Sequence, residues 1–133
     1  MSTHGTPALQ ARGLRVALGG RPVLHGVDLD IAPGQWTCVV GPNGAGKSTV
    51  LKALAGLLPA EGEVRWQGRR WPDIGRRERA RLLSWLGQGE AASLDLRVYD
   101  VAMLGRLPHQ DWLAAPSQQD QAMVEAALKA TQA

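Results

Sequence analysis

The sequence has little sulfur, few aromatic side chains and no long apolar run. Cys38 is its single cysteine, and it has five tryptophans, one tyrosine and no phenylalanine. One thiol excludes an internal disulfide and any zinc site built on several cysteines. No stretch approaches the roughly 18 uninterrupted apolar residues of a membrane helix, and the N-terminus lacks the apolar centre of a signal peptide. These absences predict a cytoplasmic chain.

The charge balance is close to neutral, but the basic residues are unevenly spread. Fifteen Lys and Arg against twelve Asp and Glu give a net charge of +3. Seven of the arginines fall between residues 65 and 81. Such a window can contact phosphates, but it matches no nucleic-acid-binding motif and lacks sustained aromatic interleaving. We interpret it as a solvated, arginine-rich helix face.

The first third of the chain has the pattern of paired strands. Residues 14–18 and 27–31 alternate apolar with other side chains, and the GGRP turn at 19–22 lies between them. This predicts an antiparallel β structure. After a turn at 32–35, residues 36–40 read WTCVV, a continuous apolar run of strand length. We predict a buried strand there, with Cys38 as an inert, buried thiol.

A glycine-rich loop follows and opens a helix. Residues 41–49 read GPNGAGKST and satisfy the pattern G-x-x-x-x-G-K-[ST]. Apolar residues then recur at helical spacing from Val50 to Leu58, and Pro59 and Gly62 are expected to end the helix.

Further along the chain, the pattern predicts four more elements. Residues 63–67 predict a short strand, and residues 76–86 predict a helix that runs into a strand. Two more helices are predicted over 98–106 and 118–131. The second opens with a capping box of Ser117 and Asp120.

A strand, a glycine loop and a helix in this order form a phosphate cradle. The glycines let successive backbone N–H groups point at phosphate oxygens, and the positive end of the helix dipole reinforces them. Lys47 is placed to reach the β- and γ-phosphates, and the Ser48 hydroxyl is placed to ligate Mg²⁺. The alternative is an ordinary glycine-rich turn, which the flanking strand and helix patterns disfavour. The predicted nucleotide-binding residues are Gly41, Pro42, Asn43, Gly44, Ala45, Gly46, Lys47, Ser48 and Thr49.

The fuller string, GPNGAGKST with LKALAGLLPAEGEV after it, resembles the ATP-binding subunits of ABC transporters. In that family a Q-loop glutamine, matched here by Gln88, touches Mg²⁺ and the attacking water and relays the nucleotide state to the membrane subunit. The resemblance implies ATP and Mg²⁺ as cofactors. It also implies Lys47 and Gln88 as catalytic residues, and Ser48 and Gln88 as metal ligands.

Residues 95–113 resemble the same stretch in importers of iron-siderophores, haem and cobalamin, which carry a similar V-x-D-V-x-x-x-G-R-x-P-H string. His109 ends that string, and with no second ligand at metal-binding spacing we interpret it as a loop histidine. The implied partners are transmembrane permease subunits, a second copy of the ATPase and, indirectly, a solute-binding protein. The implied place is the inner face of the cell membrane, and no nucleic-acid partner is expected.

The sequence also departs from the family. Leu18 stands where many members carry an aromatic ring that stacks on adenine. The LSGGQ signature, the Walker B carboxylates and the switch histidine do not occur in these 133 residues. The chain therefore resembles the N-terminal half of one nucleotide-binding domain. We expect it alone to be loosely folded and inactive as an ATPase.

The predicted fold is α/β, a P-loop NTPase of ABC type. Its parts are an antiparallel β subdomain over 9–35, a P-loop core of a mostly parallel sheet over 36–88, and the start of a helical subdomain over 89–133. The predicted function is ATP hydrolysis that energises import of cobalamin or iron chelates. The alternatives are the ATPase of another ABC transporter, a small P-loop kinase with residues 65–81 as its lid, and a nucleotide-binding fragment without activity.

Overall fold

An antiparallel sheet forms the first part of the computed structural model, which describes residues 6–87, 96–111 and 113–132. Strands β1 (Leu9–Leu18) and β2 (Arg21–Ile31) form the predicted hairpin, closed by the glycines at 19 and 20. Strands β3 (Glu61–Trp66) and β4 (Arg69–Arg70) extend it in the order β2-β1-β3-β4. The expected antiparallel structure is confirmed, and it also includes strands from beyond residue 60.

One face of this sheet packs on helix α1 (Lys47–Leu54). The buried core consists of Leu9, Ala11, Leu14, Val16, Leu24, Val50, Ala53 and Leu54. Val27, Leu29 and Ile31 pack against this core from one side of β2, as their alternation predicted. Leu14 is only 1% exposed, and burying a side chain of that size stabilises a fold by about 1.5–3 kcal/mol. The sheet therefore holds α1, and with it the glycine loop, in place.

Helix α1 ends earlier than its apolar spacing predicted. Its last helical residue is Leu54, followed by the cap residue Ala55 and by Gly56 at φ +71°. A Cβ on Gly56 would collide with the indole nitrogen of Trp71, which is itself buried. The helix thus ends before Pro59 and Gly62, and the Trp71 indole packs against Gly56 just beyond that end.

The predicted strand at residues 36–40 is wrong for the described structure. No regular element covers this segment, and Trp36 and Val40 are 101% and 85% exposed. Cys38 is exposed too, which contradicts the prediction of a buried thiol. The physical reason is that no described strand lies beside the segment, so it has neither ladder hydrogen bonds nor a cover for its apolar side chains. The mostly parallel sheet does not occur among the described residues.

Contacts divide the chain into two units, Met1–Gly75 and Arg76–Ala133. The second unit contains α2 (Arg76–Leu82), α3 (Val98–Leu104) and α4 (Gln118–Thr131). The predicted helix at 76–86 is confirmed in its first half, but the strand expected after it is absent from residues 83–87. Helix α4 has its predicted bounds. The boundaries at 35/36 and 88/89 remain predictions. In the described part of the chain, no helix combines the length and apolarity that crossing a membrane requires.

The arginine-rich window is only partly a helix face. Arg65 lies in β3, Arg69 and Arg70 form β4, and the other four lie in α2. Two of those four are not simply solvated, because Arg77 Nε and Arg81 Nε donate to the Pro108 carbonyl at 2.9 and 2.8 Å. Pro108 lies in the short 3-10 turn Leu107–His109, which also contains the loop histidine. These bonds tie that turn to α2.

A partly buried ion pair joins the turn after α3 to α4 through the predicted capping box. Ser117 Oγ accepts the backbone N–H of Asp120 at 3.1 Å, and Asp120 Oδ2 accepts the backbone N–H of Ser117 at 3.0 Å. Arg106 Nε donates to Asp120 Oδ1 at 2.8 Å, and the Asp120 side chain is 7% exposed. The hydrogen bonds from Ser117, followed by those from Arg106, lower the pKa of Asp120 to about 2.

This pair predicts an acid-sensitive helical unit. Because the pKa of Asp120 falls from 3.8 to about 2 on folding, its stabilising effect is complete above about pH 4 and is lost as the pH falls towards 2. Thermal unfolding of the helical signal by circular dichroism should show this loss. Asp120→Asn should lower the midpoint at pH 7 and flatten its dependence between pH 4 and 2. An unchanged acid dependence in Asp120→Asn would contradict the assignment.

Candidate nucleotide-binding site

The glycine loop turns sharply before α1. The Ala45 backbone N–H donates to the Pro42 carbonyl at 3.2 Å, and the loop then passes through Gly44 and Gly46 at φ +82° and +87°. These left-handed values suit glycine because a Cβ would clash with the backbone there. The first bond of the helix is from the Val50 N–H to the Gly46 carbonyl, at 2.9 Å. The loop thus delivers the chain directly into the first turn of α1.

The start of α1 presents backbone donors without acceptors. Within the described residues, no group accepts the N–H of Gly46, Lys47, Ser48 or Thr49. Gly46 provides no side-chain cap, and the first turn carries no acidic residue. Unpaired donors at the positive end of a helix, with no carboxylate to compete, form a site for an anion. A row of phosphate oxygens fits this arrangement.

Lys47 places a positive charge at the same loop. Its Nζ donates to the carbonyls of Gly41 and Pro42 at 2.8 and 2.7 Å. An ammonium group has three N–H donors, so one remains for a phosphate oxygen. The side chain therefore lies across the loop where it can contact an anion bound to the helix N-terminus.

Ser48 is the predicted magnesium ligand of the loop. Its side chain is exposed, and its hydroxyl makes no hydrogen bond within the described chain. No group of three or more His, Cys, Asp or Glu among the described residues could hold a metal. Mg²⁺ commonly takes only one or two protein oxygens and completes its shell with phosphate and water, so Ser48 fits it. Gln88, the second predicted ligand, lies outside the described residues and stays a prediction.

Two side chains that the motif does not contain set the position of the loop. An ideal Cβ on Gly46 would stand 3.1 Å from Leu24 Cδ2 and 3.5 Å from Val23 Cγ1. Gly46 therefore packs directly on β2, and this contact fixes the end of the loop against the sheet. Nothing in the spacing of the glycines indicated these neighbours, since they come from a strand more than twenty residues away.

Leu18 is the remaining predicted contact, in place of an aromatic ring. It is the last residue of β1, lies opposite Arg21 across the hairpin, and is 44% exposed. The side chain therefore offers an apolar surface but no π-face to a base. The selection of adenine by this residue stays a prediction.

Comparison with known proteins supports the assignment of the loop. The sequence profile described as ABC transporter matches residues 24–133, which include the whole glycine loop. The chain belongs to the ABC transporter family. In this ABC chain, residues 41–49 combine a glycine packed on β2, N–H groups without acceptors among the described residues, and a lysine. Their role in binding phosphate stays a prediction.

Curated relatives of this ABC chain share its sequence over nearly its full length. A hemin import ATP-binding protein of Pseudomonas putida is 43% identical over 126 residues, which is 94% of this chain and 48% of the relative. A probable siderophore transport system ATP-binding protein of Bacillus subtilis is 38% identical, over 96% of this chain and 46% of the relative. The chain spans about half the length of the curated relatives it matches.

Solved structures confirm the fold at lower sequence identity. One is CbiO1 of Clostridium perfringens, part of the ABC transporter complex cbiONQ. Its match covers 96% of this chain and 51% of the CbiO1 chain, with a TM-score of 0.70 and 23% identity. The ATP-binding subunit of another ABC transporter matches 80% of this chain and 44% of its own, with a TM-score of 0.65 and 23% identity. The α/β fold of a P-loop NTPase of ABC type is thus confirmed.

The packing of Gly46 predicts a difference between two alanine substitutions. Both Gly44 and Gly46 have positive φ, but a Cβ on Gly44 meets nothing within 4 Å, whereas one on Gly46 meets Leu24. An alanine in this conformation costs roughly 1–2 kcal/mol, and Gly46→Ala adds a displacement of the core. Chemical denaturation should show a larger loss of unfolding free energy for Gly46→Ala than for Gly44→Ala. Equal losses would contradict the proposed role of the β2 contact.

Proposed function

We propose that this chain carries the phosphate-binding part of the ATPase that energises an ABC importer of iron chelates such as hemin or siderophores. The observation that carries the proposal is the start of α1. There, four backbone N–H groups have no acceptor among the described residues, the Lys47 ammonium lies across the same loop, and the first turn has no acidic side chain. This combination recognises a nucleoside triphosphate by its negative charge and by its row of phosphate oxygens.

The residues of the loop have separate roles in binding ATP in this proposal. The N–H groups of residues 46–49 bind and orient the β- and γ-phosphates, and Lys47 stabilises the negative charge on the γ-phosphate as its bond to the β-phosphate lengthens. Ser48 holds Mg²⁺, which neutralises charge between the two phosphates when bound. Gln88 orients the attacking water in this proposal, in line with its position in the sequence pattern.

The partners follow from the same assignment. An importer ATPase works on transmembrane permease subunits, and the proposal includes these, a second copy of the ATPase and, indirectly, a solute-binding protein. The chain would then act in the cytoplasm at the inner face of the cell membrane. The names of the relatives as import or transport-system ATP-binding proteins support this. Any hydrolytic activity belongs in this proposal to the complete protein.

The proposed solute is an iron chelate rather than cobalamin. The relatives named above concern hemin and a siderophore, and a petrobactin import ATP-binding protein of Bacillus anthracis is 35% identical over 93% of this chain. Cobalamin remains a prediction of the sequence resemblance. The kinase alternative loses support, because Arg77 and Arg81 of its supposed lid already donate to the Pro108 carbonyl.

The role of Lys47 predicts a selective loss of activity. In the complete protein, Lys47→Ala should abolish ATP hydrolysis while the circular dichroism spectrum stays that of the wild type. A charge-assisted contact of this kind is worth about 1.5–3 kcal/mol. The matched control is Lys52→Ala, which removes the same charge from the last turn of α1. Turnover by Lys47→Ala within a few-fold of the control would show that the loop assignment is wrong.

The exposed side chain of Leu18 predicts a gain in base recognition. Leu18→Tyr should tighten ATP binding, because stacking on a base is worth about 1–3 kcal/mol in nucleic-acid systems, and should increase the preference for ATP over GTP. Isothermal titration calorimetry on the complete protein measures both. Leu57→Tyr, at an exposed leucine just after α1, is the control. If both variants bind ATP like the wild type, the base is held elsewhere.

A further inference from the structure

A second site lies on the sheet, outside the phosphate loop. It is a cavity of about 600 Å³ lined by Arg15 and Ala17 of β1, Pro22 and His25 of β2, and Pro59 and Glu61 before and at the start of β3. Its volume lies within the range of about 300–1,000 Å³ that is common for small-molecule sites. None of its lining residues belongs to the glycine loop. The cavity is therefore distinct from the glycine loop.

The three polar side chains of the cavity form one row across the sheet. Arg15 lies opposite His25 of β2 on one side and opposite Glu61 of β3 on the other. Directly opposite residues of neighbouring strands point to the same face. Since adjacent strands are about 4.8 Å apart, His25 and Glu61 are separated by roughly 10 Å, with Arg15 between them.

The opposite charges of Arg15 and Glu61 in this row form no ion pair with each other. No hydrogen bond or ion pair within the described residues involves the side chain of Arg15, His25 or Glu61, although Arg15 and Glu61 are cross-strand neighbours. The guanidinium lies instead over β2, where an ideal Cβ on Gly26 would stand 3.8 Å from Arg15 Nε and 3.9 Å from Arg15 Nη2. The glycine leaves room for it there. The positive group of Arg15 thus lies on the β2 side of the row, and Glu61 lies on the β3 side without an ion pair to it.

We propose that this cavity binds a small zwitterion with an apolar side chain, that is, a free apolar α-amino acid. Its carboxylate accepts hydrogen bonds from the Arg15 guanidinium, and its ammonium donates to the Glu61 carboxylate. Its side chain packs on Ala17, Pro22 and Pro59. A plain anion would meet Glu61 and a plain cation would meet Arg15, so a ligand with both charges complements the row best. This proposal does not depend on the nucleotide site.

A ligand series on the wild-type protein tests the charge pattern. L-Leucine carries both charges, 4-methylpentanoate lacks the ammonium, and 3-methylbutylamine lacks the carboxylate. By ligand-observed NMR titration, leucine should saturate with a Kd of about 1 mM or below, and each analogue should bind at least about tenfold more weakly. The proposal is overturned if leucine shows no saturation or if either analogue binds as tightly.

Paired variants test the two charged residues. Arg15→Gln and Glu61→Gln should each weaken leucine binding by at least about tenfold. The matched controls, Arg21→Gln and Asp73→Asn, change the same charges at exposed positions outside the cavity, and should bind leucine like the wild type. Undiminished binding in Arg15→Gln, or an equal loss in the controls, would refute the site. If Arg15→Gln does not fold, the ligand series on the wild type decides alone.

Discussion

The structure depends on the packing of α1 on one face of the antiparallel sheet. Val50, Ala53 and Leu54 bury the inner side of the helix against Leu14, Val16 and Leu24. Gly46, at the helix N-terminus, packs on Leu24 as well. The same contact that buries apolar surface therefore determines where the unpaired N–H groups lie. In this chain, the buried core and the proposed phosphate site share one interface.

The charged and polar groups near the helix termini are arranged differently in the two units. In the first unit the N-terminus of α1 carries no side-chain cap and no carboxylate, which leaves its positive end to a ligand. In the second unit the N-terminus of α4 is occupied by its own side chains. Asp120 completes the capping box of α4 and pairs with Arg106, while Arg77 and Arg81 hold the Pro108 carbonyl. The N-terminus of α1 thus keeps its donors open for an anion, whereas that of α4 is closed by Ser117 and Asp120.

The segment before the loop shows that an apolar sequence pattern does not identify the neighbouring element that a strand needs. An apolar run of strand length in residues 36–40 indicates a strand that other elements should cover, but it does not say which elements. Among the described residues none lies beside it, and Trp36 and Val40 are exposed. A strand requires a neighbour for its backbone groups, whereas a helix satisfies most of its own. This is why α4 has its predicted bounds and the segment at 36–40 forms no strand.

The sequence by itself determined the features whose causes are local. These are the β1–β2 hairpin with its glycine turn, the phosphate loop, the start of α1, and the capping box of Ser117 and Asp120. Each depends on backbone conformation or side-chain bonds within a few residues, and such rules can be read from spacing. Only the tertiary structure decided that Leu24 packs on Gly46, that the Trp71 indole lies against Gly56 beyond the end of α1, and that the Arg15 guanidinium lies beside Gly26. Those contacts join residues far apart in the chain, and their geometry depends on how the sheet and helix pack, which no local pattern specifies.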